Sequence, residues 1–228
     1  KNLTLTVGTT ATTAQVAIEL TTMFNGGGTF GAAYSSNNTG DQFGEFSEIT
    51  ATTSGSTVIL TADTAGVPFT VTVSENTVGT GTLSAATTVT ATGPNFANDA
   101  NNWSNAATPA NGDDVYIDST DVSILYGLDA SAVTLTSLTR GANFTGRIGL
   151  PKINETGNYP EYRDEYWKIS ATTYRDGVGE GTGSDRIKIN FGANAVAIEV
   201  ISTGFSAETG LPTLQILGTH ANNTLEVH

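Results

Sequence analysis

The most constraining feature of this chain is a series of short apolar alternations that recurs from Trp103 to the last residues. Alternation with a period of two indicates half-buried strands, and Gly, Asn, Asp or Pro separates one strand from the next. Several of the connections are too short to hold a helix. The alternations centre on Val115/Ile117, Val122/Ile124, Val133/Leu135, Ile148/Leu150, Trp167/Ile169, Ile187/Ile189, Val196/Ile198/Val200, Leu214/Ile216 and Leu225/Val227.

This pattern predicts a mainly β protein in which residues 102–228 form a right-handed parallel β-helix-like domain. Short strands would stack on one another, with polar corners between them. A β-sandwich is the main alternative, but it usually needs longer strands and clear hairpin turns, which are scarce here. The alternation in "THANNTLEVH" reaches the last residue, so we expect this domain to be truncated at residue 228.

Residues 1–78 carry a different pattern, which predicts a small α+β module with the order β-α-β-β-β. Thr12 and Gln15 have the spacing of a helix capping box. The helix stripe that follows consists of Val16, Leu20, Met23 and Phe24, and the expected strands are 3–7, 46–51, 57–61 and 69–73. Residues 26–44 are read as a long loop, and residues 79–101 as a linker.

The balance of charge limits the partners of this chain. It has 22 acidic and 9 basic residues and a formal net charge of −13. A nucleic-acid-binding surface or an anionic membrane would require basic clusters, so neither partner is expected. The negative charge serves either solubility or the binding of a hard cation. With no cysteine, the chain forms no disulfide and no thiolate metal site.

Neither a membrane span nor a signal peptide is recognisable in the sequence. No apolar stretch approaches the ~20 residues that cross a bilayer. The chain does not begin with Met, so either processing has removed a leader or the sequence begins inside a longer protein.

Two stretches carry a resemblance to known families. The segment "ITATTSGSTVILTADTAGVPFTV" resembles a small α+β module of tailed-phage virion proteins. The segment "NWSNAATPANGDDVYIDSTDVSILY" is similar to the start of parallel β-helix domains in secreted and phage-encoded proteins, where Trp-Ser, a later Pro and Gly-Asp precede the first rung. The resemblance implies a virion component, such as a capsid decoration protein or a tail fibre. It also implies a homo-oligomer, for which trimers are usual, and no catalytic residue set.

The turn before the first strand of the second domain is interpreted as a structural cap. An indole would cover the open end of the stack, a proline and a glycine would turn the chain, and a carboxylate would accept turn N–H groups. These residues are Trp103, Pro109, Gly112, Asp113 and Asp114. The alternative is a Ca²⁺ loop with Asp113, Asp114 and Asp118 as ligands.

The segment "NYPEYRDEYWKI" mixes carboxylates with aromatic rings. Its aromatic residues are Tyr159, Tyr162, Tyr166 and Trp167, and its acids are Glu161, Asp164 and Glu165. We interpret it first as a packed loop in which Arg163 and Lys168 pair with neighbouring acids. The aromatic residues predict, as an alternative, a patch that binds host glycans. A pair of acids would also suit glycoside hydrolysis, as a weaker alternative.

Two further features suggest no chemistry. The Gly-rich segment 175–186 lacks the ending of a phosphate-binding loop and is interpreted as a flexible surface loop. His220 lies in a turn pattern and His228 is the last residue, so neither suits a catalytic triad.

The sequence therefore predicts a non-enzymatic virion structural protein that decorates or stabilises the particle. Its partners would be other copies of itself and a major virion protein. A glycan-binding tail fibre or adhesin, located on a bacterial surface or secreted, is the alternative, and a polysaccharide-degrading enzyme comes third.

Overall fold

The computed structural model describes residues 2–8, 10–27, 34–36, 44–76, 82–204 and 213–228, with the backbone alone for 34–36. The chain divides into two compact units. The first comprises residues 1–91 together with 153–160, and the second comprises 92–152 and 161–228. The described residues form strands and a single α-helix, so the prediction of a mainly β protein is confirmed.

The first unit contains the helix and two antiparallel strand pairs. Its elements are β1 (Leu5–Val7), α1 (Thr13–Phe24), β2 (Tyr34–Ser36), a 3₁₀ turn (Gly44–Phe46), β3 (Ile49–Ser54) and β4 (Thr57–Ala62). β1 pairs with β2, and β3 pairs with β4. α1 packs on the β3–β4 pair and also contacts β1.

Helix α1 begins and ends where the sequence predicts. The Thr12 hydroxyl accepts a hydrogen bond from the Gln15 amide at 3.3 Å, and the Thr12 amide donates to Gln15 Oε1 at 3.1 Å, which completes the capping box. At the other end, the Asn25 side chain donates to the carbonyl and accepts from the amide of Ala51, at 2.9 Å each. These two bonds attach the end of the helix to β3.

The predicted strand at residues 69–73 is wrong. Phe69, Val71 and Val73 are half-buried and the residues between them are exposed, yet this segment pairs with no strand of the described residues. Alternation reports which side faces the interior, and it does not show that a neighbouring strand is available. Conversely, β2 lies inside the predicted loop 26–44, and the expected strand 46–51 begins only at Ile49, after the 3₁₀ turn.

The second unit contains a parallel sheet. A 3₁₀ turn (Ala100–Asn102) precedes its strands, which are β5 (Asp114–Ile117), β6 (Asp129–Gly141), β7 (Trp167–Val178), β8 (Ile187–Asn190), β9 (Ala197–Val200), β10 (Leu214–Leu217) and β11 (Thr224–Val227). β10, β8, β7, β6 and β5 follow one another across the sheet, and β9 lies between β7 and β11. Every pairing of these strands is parallel, whereas the strand pairs of a sandwich are antiparallel.

Residues that pair across the second unit line up in columns, two of which show the path of the chain. Within each column, every residue is the backbone pairing partner of the next. The first column is Val115, Leu138, Tyr174, Ile198 and Leu225. The second is Ile124, Ile148, Ile187 and Leu214. The chain visits the two columns alternately, so a residue in one column is always followed along the sequence by a residue in the other.

Candidate functional site

The turn before β5 is held by main-chain and side-chain hydrogen bonds. Gly112 has a φ of 86°, which glycine adopts without strain, and its amide donates to the Thr134 carbonyl at 2.9 Å. Asp113 Oδ2 accepts from the Ala110 amide, the residue after Pro109, at 2.9 Å. The turn is thereby closed on itself and attached to β6.

Asp114 has a different role from Asp113. Its carboxylate accepts a hydrogen bond from the Ser137 hydroxyl at 2.5 Å, and Ser137 is its pairing partner on β6. It therefore connects two neighbouring strands, and within the described part of the chain no turn N–H donates to it.

Trp103 covers part of the core of the second unit. Its indole Nε1 donates to the Ala97 carbonyl at 2.9 Å, and its ring is stacked on Trp167 with centroids 6.2 Å apart. On β5, the inward-facing Val115 and Ile117 are only 8% and 7% exposed. The core at this strand is thus buried.

The three carboxylates of the alternative Ca²⁺ loop are divided between the two ends of β5. Asp113 and Asp114 lie where the strand begins, and Asp118 follows its last residue. Asp118 accepts from the Asn143 amide at 3.0 Å and from the Ser119 hydroxyl at 3.1 Å. Burial alone would raise the pKa of Asp118, but hydrogen bonds from the backbone and side chains of Ser119 and Asn143 outweigh it and lower the pKa. Across the described ranges, no three His, Cys, Asp or Glu side chains are grouped to hold a metal ion.

The four aromatic residues of the predicted glycan patch do not form one exposed surface. Trp167 is 1% exposed in the core of the second unit, and Tyr159 is 4% exposed in the first unit, where its hydroxyl donates to Glu48 Oε2 at 2.5 Å. Tyr162 is exposed, and the half-buried Tyr166 donates to Gln215 Oε1 at 3.2 Å. The prediction of a continuous patch is wrong because two of its rings are the interior residues of their units.

The acids of the same segment are all paired with cations. The Glu161 side chain is inaccessible and binds Arg163 through both carboxylate oxygens, at 2.8 and 3.0 Å. Asp164 pairs with Lys168 at 2.6 Å, and Glu165 pairs with Lys188 at 3.1 Å. A glycosidase requires two carboxyl groups that face the same bond of the sugar. Here each carboxylate faces a basic side chain, as the interpretation of a packed loop expects.

A buried charged cluster that was not predicted from the sequence lies in the second unit. Arg140 on β6 and Asp176 on β7 are pairing partners, 1% and 0% exposed. The guanidinium donates to Asp176 through Nε at 3.0 Å and Nη2 at 2.6 Å, and Nη2 also donates to the Ser202 carbonyl at 2.8 Å. The hydroxyl of the fully buried Tyr174 donates to the same carboxylate.

This cluster contradicts the interpretation of residues 175–186 as a flexible surface loop. β7 continues to Val178, and Asp176, Ser184 and Arg186 are buried. The alternation along the strand could have predicted the burial of Asp176, because it lies two residues after Tyr174 and therefore on the same face of a strand.

The cluster shifts the pKa of two of its members. Burial and the neighbouring Asp176 charge raise the pKa of Tyr174 well above 10.0. Burial would lower the pKa of Arg140, but its hydrogen bonds to Asp176 outweigh that effect and raise it. Over the neutral range, Arg140 therefore stays a cation and Tyr174 stays a neutral phenol.

The chain matches no family model, no curated protein and no solved structure. Within the described residues, no helix is both long enough and apolar enough to cross a membrane.

Proposed function

We propose that this chain is a non-enzymatic structural protein of a phage virion that decorates or stabilises the particle. Its second unit would be a right-handed parallel β-helix. The virion, its major structural protein and further copies of the chain, with trimers usual among similar proteins, come from the resemblance described above. The observation that carries the proposal is the pair of columns that the chain visits alternately.

The columns support a coil because each coil would contribute one residue to each column. Val115 and Ile124 would belong to one coil, and Leu138 and Ile148 to the next. Crossovers between parallel strands are right-handed in about 98% of known cases, so we assign that hand to the coil. A coil of this kind is a rigid rod, which suits a projecting or reinforcing element of a particle.

The chemistry of the described residues also favours a structural role. The acids of the segment 161–165 are neutralised by ion pairs, and Arg140 and Asp176 are buried beyond the reach of any substrate. The net charge of −13 would keep decorated particles apart in solution.

The proposal is tested by binding to particles. Phage particles that lack this chain are mixed with the purified protein and sedimented, and the heat resistance of their infectivity is then measured. We expect the protein to sediment with the particles and to raise the temperature at which infectivity is lost. Protein that stays in the supernatant at all concentrations would refute the proposal.

Glycan binding remains the second candidate because Tyr162 is exposed, with its ring centroid 5.2 Å from the Arg163 guanidinium carbon. Aromatic rings are common sites of sugar contact at protein surfaces. A glycan array with the native protein and the Tyr162→Ala variant separates the two functions. Saccharide binding that the variant loses would favour an adhesin, located on the virion, on a bacterial surface or in the medium.

A further inference from the structure

A lysine and a glutamine stand side by side on two strands of the parallel sheet. Lys188 on β8 and Gln215 on β10 are backbone pairing partners. Neighbouring strands lie about 4.8 Å apart, and paired residues direct their side chains to the same face of the sheet. The preceding residues, Ile187 and Leu214, pack in the core of the second unit. The side chains of Lys188 and Gln215 therefore project together from the opposite face.

The segment that leads into β7 lies over this pair. The Glu165 carbonyl accepts a hydrogen bond from the Leu150 amide at 2.9 Å. Gly149 has a φ of 85°, and a Cβ added to it would lie 2.3 Å from the same carbonyl oxygen, so only glycine allows this close approach. Beneath the segment, Lys188 is only 2% exposed, and bulk water has little access to its amine.

The groups that a reaction between the two side chains requires surround the lysine amine. Lys188 Nζ lies 3.1 Å from Glu165 Oε2 and 5.4 Å from the centroid of the Tyr166 ring. The Tyr166 hydroxyl donates a hydrogen bond to Gln215 Oε1 at 3.2 Å. Burial and the neighbouring Glu165 charge raise the pKa of Tyr166, so the phenol keeps the proton that it donates. A nucleophile, a base and a polarised amide carbonyl are thus grouped in one place.

We propose that Lys188 and Gln215 form an intramolecular isopeptide bond, with Glu165 as the general base and Tyr166 as the donor to the oxyanion. Glu165 takes a proton from Nζ, and the neutral amine attacks Gln215 Cδ. The Tyr166 hydroxyl stabilises the negative charge that develops on Oε1. The bond between Cδ and Nε2 then breaks. Nζ gives up two protons in total, the departing nitrogen receives both through Glu165 and leaves as ammonium, and Glu165 is again a carboxylate.

This bond would fasten β8 to β10 covalently and close the chain between them into a loop. The chain has no cysteine, so no disulfide serves this purpose. The reaction occurs once in each molecule and acts on no external substrate. The inference goes beyond the proposed role in a virion and does not depend on it.

Mass spectrometry of the intact protein tests the proposal. During incubation at neutral pH, the freshly synthesised native chain should lose about 17 Da, the mass of the ammonia released when the amine displaces the amide nitrogen. A digest should contain the peptides of Lys188 and Gln215 joined to each other. Lys188→Arg keeps the positive charge and should keep the full mass. The matched control is Lys168→Arg, because Lys168 also pairs with an amide residue, Asn190, but is 36% exposed; this variant should still lose the ammonia.

Two further variants test the assigned roles. Removing the base in Glu165→Ala or the donor in Tyr166→Phe should slow the loss of ammonia by about 100-fold each, with unchanged circular dichroism spectra. A native chain that keeps its full mass would overturn the proposal. A loss that persists in Lys188→Arg would also overturn it and would point to succinimide formation at Asn25 or Asn111, which both precede glycine. An unchanged rate in Glu165→Ala would refute the assignment of the base.

Discussion

Replacing Asp176 by alanine should destabilise the second unit more than any change at its surface. The Asp176 carboxylate accepts two bonds from Arg140 and one from Tyr174. Without it, a guanidinium that is 1% exposed keeps only the Gly141 carbonyl at 3.3 Å and the Ser202 carbonyl at 2.8 Å. Breaking a buried ion pair on one side typically costs about 3–5 kcal/mol, and we expect a loss of that size.

Urea unfolding followed by tryptophan fluorescence measures this loss directly. The chain has 2 tryptophans, Trp103 and Trp167, and both belong to the second unit. With a urea dependence of about 2 kcal/mol per M, the midpoint should fall by roughly 1.5–2.5 M. The control is Glu199→Ala, which breaks an ion pair of 2.5 Å with Arg175 at the surface and should leave the midpoint unchanged.

A fully apolar replacement tests the physical reason. In the triple variant Arg140→Met, Tyr174→Phe, Asp176→Leu, no buried charge is left without a partner, so most of the lost stability should return. The reasoning is refuted if Asp176→Ala costs less than about 1 kcal/mol, or if the triple variant is as unstable as the single one.

The remaining predictions concern alkaline pH, backbone space and the first unit. Because the pKa of Tyr174 is raised in the folded chain, the unfolded chain releases the phenol proton at a lower pH. The free energy of unfolding should therefore fall above pH 10.0 by up to about 1.4 kcal/mol per pH unit. In urea titrations at about pH 9 to 11, Tyr174→Phe should remove this part of the loss. Gly177→Ala should destabilise the second unit more than Gly192→Ala. Both glycines have a positive φ, but only a Cβ added at 177 would overlap the backbone carbonyl of another residue. Equal urea midpoints of the two variants would contradict this prediction. Tyr159→Phe removes the bond to Glu48 and should speed hydrogen exchange in β3, at a cost of about 1 kcal/mol; unchanged exchange by mass spectrometry would show that this bond adds nothing.

Local interactions explain why the helix could be predicted with its ends. The Thr12 and Gln15 pair closes within three residues, so its spacing in the sequence is sufficient. The period of two along the chain likewise indicated β5 to β11, because it depends only on which side of each strand faces the core. The alternation at Trp167/Ile169 marks the start of β7, and the predicted strands at Val122/Ile124 and Ile148/Leu150 form only isolated bridges. Strand pairing is not local, and the expected strand at 69–73 was wrong for that reason.

The aromatic segment shows the same limit from the functional side. A sequence cannot distinguish a tyrosine or tryptophan at a surface from one in a core when both stand among charged residues. Trp167 alternates with Ile169, which already indicated an inward direction, and Glu161 with Arg163 forms a local ion pair. The alternation along the strand indicated the direction of the side chains correctly, whereas the composition of the segment suggested an exposed aromatic surface that the fold does not form.

The buried ion pair could have been predicted if strand register had been considered together with charge. Once Leu138 is aligned with Tyr174, a step of two residues along each parallel strand brings Arg140 beside Asp176. Any other alignment would leave an inward-facing charge without a partner, at a cost of several kcal/mol. The pair therefore selects one register among those that the apolar alternation permits. In a stack of short similar strands, which the alternation alone aligns weakly, a buried pair of opposite charges supplies the missing specificity.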